Sequence, residues 1–124
     1  MAEADRRERQ APRLIYHMCR REEWQAAARA GVYNGSSQDT EGFIHFSTEE
    51  QIAGSAAKHR AGQGDLVLLT VDANDLGEAL RWEEARGGQL FPHLYGPLPI
   101  EMVTAVEDLP LDEDGRHVFP FDVE

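Results

Sequence analysis

The chain has 124 residues, 41% hydrophobic and 28% charged, enough for one folded domain and too few for two ordinary ones. Its 12 basic and 23 acidic side chains leave a net charge of -11, which argues against duplex nucleic acid and anionic membranes as partners, since both need a cationic face. A lone cysteine, Cys19, excludes an internal disulfide, and no apolar run approaches the roughly 18 residues of a membrane span.

Residues 1–12 are charged and aperiodic, unlike a signal peptide, and read as a disordered tail. That places a single domain at 13–124 and a cytoplasmic protein. The domain opens with a short apolar strand, Leu14 to Cys19. From Glu22 to Val32 the pattern turns helical, with Trp24, Ala27, Ala28, Gly31 and Val32 on one stripe, and Gly31 and Asn34-Gly35 ending it. A polar loop, Asn34 to Glu41, precedes a second short strand, Gly42 to Phe46.

Ser47-Thr48-Glu49-Glu50-Gln51 has the form of a helix start. Ser47 with Glu50, or Thr48 with Gln51, makes a capping box in which each side chain reaches the other's free backbone N–H. The helix is expected to run to about Arg60, burying Ile52, Ala53, Ala56 and Ala57. Leu66 to Val71 is apolar at five of six positions without alternation, the mark of a strand covered on both faces. Leu80 to Glu84 reads as a strand, and Gly87-Gly88 as a turn. Phe91 to Ile100 holds Pro92, Pro97 and Pro99, which argues against a helix or a regular central strand. Met102 to Val106 is a further strand, and the acidic C-terminus reads as peripheral. Early helices and late strands favour an α+β domain over an alternating parallel sheet.

Three of the five histidines occupy informative places: His17 in the first strand, His45 in the second and His93 in the proline-rich stretch. His59, near the exposed end of a helix, and His117, in the acidic tail, receive no functional weight. A strand sends alternate side chains to one face, so His45 shares a face with Phe43. Each histidine has a bland reading, as a half-buried ring tied to a backbone carbonyl, but two in short apolar strands need two sets of partners. The strand ending at Phe46 runs directly into the helix start at Ser47 and Thr48, where unsatisfied N–H groups attract anions. An ordinary capped helix is the alternative there. Tyr16, Tyr33, Phe43, Phe46, Phe91 and Tyr95 interleave with these positions and offer ring faces for stacking. Cys19 reads as a buried thiol, and no pair of histidines has local metal-ligand spacing, so no metal is expected.

Ile15-Tyr16-His17, Glu41-Gly42-Phe43-Ile44-His45-Phe46-Ser47-Thr48, Trp82-Glu83 and Leu90-Phe91-Pro92-His93-Leu94-Tyr95-Gly96-Pro97 together resemble the bacterial family called domain of unknown function 952, over about residues 14 to 107. The resemblance implies an ADP-ribosyltransferase-like fold, a split α+β core that clasps NAD in its active members. It implies that His17 holds the ribose, that His45 stands where many members place a tyrosine against the nicotinamide ring, and that His93 completes a catalytic set. Ser47 and Thr48 would frame the nucleotide, and Tyr33 and Tyr95 would contact it. No glutamate maps onto the position that is catalytic in many transferases. Two outcomes therefore stand open: transfer of ADP-ribose or hydrolysis of NAD, or an inactive ligand-binding or regulatory module of the same fold. NAD enters as a candidate substrate, and no tightly bound cofactor is expected.

Overall fold

The computed structural model describes residues 13–35 and 41–121. The expected tail at 1–12 and the middle of the polar loop, 36–40, lie outside the described residues. Among these residues, eight strands and two α-helices follow one another as β1 (Leu14–Arg20), α1 (Arg21–Ala30), β2 (Val32–Tyr33), β3 (Ile44–His45), α2 (Ile52–His59), β4 (Leu66–Asp72), β5 (Leu80–Glu84), β6 (Leu90–Leu94), β7 (Leu98–Pro99) and β8 (Val103–Leu109). The class is α+β, built from several antiparallel sheets.

β4 is the centre of the first sheet, ordered β1-β4-β8, with Leu14 opposite Asp72 and Arg20 opposite Leu66. Its apolar run, interrupted only by Thr70, has the predicted cause. Val67, Leu69 and Val71 join Ile15 and Cys19 in one core under α1, while Leu66 and Leu68 join Tyr16, Met18, Ile52 and Ala56 in a second core under α2. Burying each such side chain contributes about 1.5–3 kcal/mol, so both faces of β4 are needed to hold the sheet. Phe119 and Phe121 close the second core, so the C-terminal segment is a packed cover rather than a peripheral one.

The second sheet runs β3-β6-β5, and β2 pairs with β7 as a two-stranded ribbon. The chain leaving β3 joins the two larger sheets. Phe46 N–H donates to the Pro92 carbonyl (2.9 Å), and Ser47 exchanges two backbone hydrogen bonds with Tyr16 (2.8 Å each).

Three expectations need correction. The first helix stops at Ala30, because Gly31 adopts a left-handed φ of 87° and returns its N–H to Ala27. Val32 is thereby released into β2, and Ala28 is left exposed. In α2 the buried stripe is Ile52, Ser55 and Ala56, while Ala57 faces solvent. Pro92 does occupy a central strand. An antiparallel residue points its N–H and C=O to the same side, so the missing N–H falls beside Phe46, past the two-residue ladder of β3.

Candidate functional site

His45 and His93 are directly paired across β3 and β6, and Arg81 of β5 lies opposite His93. The alternation of each strand sends their neighbours at i±2 to the same face. Phe43, Phe91, Tyr95 and Glu83 therefore gather around the two imidazoles. Phe43 stacks on His93 with ring centres 4.0 Å apart, Phe91 stacks on His45 at 5.6 Å, and the two histidine rings lie 5.0 Å apart. His59, near the end of α2, meets His45 edge-on at 5.9 Å. Between this face, β1 and α2 lies a cavity of about 530 Å³.

Of the residues picked out from the sequence, His17, His45, Ser47 and His93 line this cavity. Tyr33, Thr48 and Tyr95 do not. Tyr33 is buried behind His17, with its hydroxyl 2.7 Å from His17 Nε2. The other nitrogen, Nδ1, is 2.7 Å from the backbone oxygen of His45. A carbonyl only accepts, so the proton sits on Nδ1, and Nε2 accepts from the tyrosine. His17 thus spends both nitrogens on fixing β3 and Tyr33 in place, and Cys19, on the same face of β1, is fully buried.

Thr48 and Gln51 form the capping box: Thr48 N–H donates to Gln51 Oε1 (3.1 Å), and Gln51 N–H donates to Thr48 Oγ1 (3.2 Å). Ser47 Oγ is 2.7 Å from Ser55 Oγ, and both residues are buried. The turn from Thr48 to Gln51 that leads into α2 is thus closed by its own side chains rather than left as an open anion site, and the regular helix begins only at Ile52, later than the letters from Ser47 suggested.

His93 differs from His17. It is 5% exposed, and its Nδ1 lies 2.8 Å from Glu83 Oε1, the same oxygen that accepts the Tyr95 hydroxyl at 2.7 Å. Its Nε2 is buried with no hydrogen-bond partner among the described residues. The Tyr95 hydroxyl and then His93 hold the Glu83 carboxyl below the usual carboxylate range, and the same bond to Glu83 raises the Tyr95 phenol. The cavity walls carry opposite charge. Lys58 and Arg60 stand on the α2 side, and Glu41, Glu83 and Glu84 on the other. Arg60 is itself buried, and its guanidinium donates to the Met18 carbonyl (3.0 Å) and Gln63 Oε1 (3.1 Å).

Sequence reasoning gave no role to Glu83 and no functional weight to His59, near the exposed end of its helix. The period-two spacing of Arg81 and Glu83 was the available signal for Glu83, but only the β5–β6 register makes it informative. Among the described residues, no group of three or more histidine, cysteine or acidic side chains is placed to hold a metal ion. None of their helices is long and apolar enough to cross a membrane.

Residues 18–106 match the model of a family described as "Protein of unknown function (DUF952)". The chain belongs to this family. This DUF952 chain is 51% identical to protein CC0527 from Caulobacter crescentus, whose crystal structure superposes with a TM-score of 0.82 over 85% of this chain and 93% of that one. The solution NMR structure of the same protein gives 52% identity and a TM-score of 0.75, over 83% and 90% of the two chains. No curated protein is similar enough to the DUF952 chain to count as a match.

Proposed function

We propose that the cavity binds NAD or a related nucleotide and that the protein cleaves its glycosidic bond, transferring ADP-ribose or hydrolysing NAD. The reaction class comes from the ADP-ribosyltransferase-like resemblance of the Tyr16-His17 and Gly42-to-Ser47 segments. The observation that carries the reading is the state of His93, whose buried Nε2 lacks a partner among the described residues while its Nδ1 is held by Glu83.

The volume falls in the range of small-molecule sites, about 300–1,000 Å³. Phe43 and His45 offer ring faces to a flat heterocycle. The charge division suits a ligand that is anionic at one end and cationic at the other. A pyrophosphate would lie toward Lys58 and Arg60, and the nicotinamide ring, with the positive charge that builds on the ribose as it leaves, toward Glu41, Glu83 and Glu84. In this reading His45 contacts the ring, Ser47 borders the ribose, and His17 acts by positioning β3. Tyr33, Thr48 and Tyr95 support the site from behind.

An amide-shift NMR titration with NAD, repeated on His45→Ala, tests the assignment. Saturable shifts at His17, His45 and His93, lost in the folded variant, are expected. A flat titration of the wild-type protein would remove the nucleotide reading. Binding without any release of nicotinamide would leave a ligand-binding module and refute turnover.

A further inference from the structure

His17 and His93 are both nearly buried, at 3% and 5% exposure, yet only one of them looks like a core histidine. His17 has both ring nitrogens engaged, by Tyr33 and the His45 backbone. A buried polar atom left without a partner is costly, and such atoms are rare in native proteins without a functional reason. The cost falls on a ring whose orientation is set from two directions: Phe43 stacks against its face at 4.0 Å, and Glu83 anchors its Nδ1 at 2.8 Å. Glu83 is held in turn by the Tyr95 hydroxyl.

The chemistry of the pair fixes the proton. An ionised carboxylate is acceptor-only, so the neutral imidazole carries its proton on Nδ1 and presents the Nε2 lone pair. A base in this arrangement has its ring and its tautomer fixed before the proton arrives.

We infer that His93 and Glu83 form a proton-accepting pair, with His93 Nε2 as the base toward a hydroxyl acceptor (water or an alcohol) and Glu83 as its positioning residue. The step rests on the nucleotide reading above. The acceptor O–H gives its proton to Nε2 as its oxygen bonds to the ribose carbon. The bond from that carbon to the nicotinamide nitrogen breaks, and its electron pair leaves with nicotinamide as a neutral molecule. The carboxylate that is catalytic in many transferases, and onto which no glutamate of this chain maps, would thus be supplied indirectly, from β5 through a histidine.

The experiment joins 15N NMR of the histidine rings in the full chain with nicotinamide release from NAD. In the wild-type protein, neutral His93 is expected to carry its proton on Nδ1. Glu83→Gln keeps the shape but can donate to Nδ1, so its His93 is expected to shift toward the Nε2–H form. Nicotinamide release at saturating NAD should then fall about 10²- to 10⁴-fold. A wild-type His93 protonated on Nε2 overturns the pair whatever the nucleotide does. Bound NAD with unchanged turnover in Glu83→Gln overturns the pair and leaves the nucleotide site standing. A wild-type protein that binds no NAD overturns the nucleotide reading and this step with it.

Discussion

Tyr33 shows how one hydroxyl can decide the state of a histidine. Its ring is almost fully buried, and the proton it gives to His17 Nε2 leaves Nδ1–H for the His45 carbonyl, so a single chain of hydrogen bonds runs from β2 through β1 to β3. Tyr33→Phe deletes the donor and keeps the ring. We expect a loss of about 1–3 kcal/mol in urea unfolding, with the m-value unchanged. An unaltered midpoint would mean that His17 is held by β3 alone. At this scale the sequence was partly legible. His17, His45 and His93 stand out as imidazoles within apolar runs, and Phe43 follows from alternation with His45. The difference between a satisfied His17 and a poised His93 was not legible, because it depends on Tyr33, which tertiary packing brings from β2, and on Glu83, which the β5–β6 register brings in.

The helix entry was readable as an element. Two capping boxes fitted the letters from Ser47 to Gln51, and the structure uses Thr48 with Gln51, because Ser47 is drawn into the β1 bridge and the Ser55 hydroxyl. Gln51 does a second job: its amide donates to the Leu90 carbonyl at 2.8 Å, tying α2 to β6. Thr48→Ala should cost about 1 kcal/mol, the usual value of a lost cap. Gln51→Ala should cost more, since it also breaks the tether, and hydrogen exchange should quicken at the start of α2 in both variants. Equal costs for the two would assign the tether no energy. The proline-rich strand was misread for a related reason. Whether a missing N–H matters depends on where the neighbouring ladder ends, and β3 ends one residue before Pro92 would need a partner.

Among the described residues, three carboxyls are held below their ordinary range by the folded structure. Asp72 is bonded by Arg13, Glu83 by Tyr95 and then His93, and Asp112 by the backbone N–H groups of Arg116 and then Asp114. A depressed folded value means that the ionised form favours the native state. That stability is complete above the unfolded values, near pH 4, and is lost as the pH falls through the folded ones. Thermal unfolding should therefore show Tm dropping on acidification below about pH 4. The Tm gap between wild type and Asp112→Asn should narrow over the same range. A gap independent of pH would show that the backbone bonds to Asp112 do not favour its ionised form.

The letters alone determined the α+β class, the doubly covered β4, the reciprocal Thr48–Gln51 cap and three of the imidazoles around the cavity. These are local properties: apolar run length, side-chain alternation and the matching of a cap to the residue three places on. The tertiary structure decided which residues meet. Strand register set Glu83 beside His93, the direction of α2 carried His59 over His45, and the link from Phe46 and Ser47 to Pro92 and Tyr16 opened the cavity between two sheets. Those pairings join segments far apart in the chain, and one residue of slippage would turn every side chain of a strand to its other face.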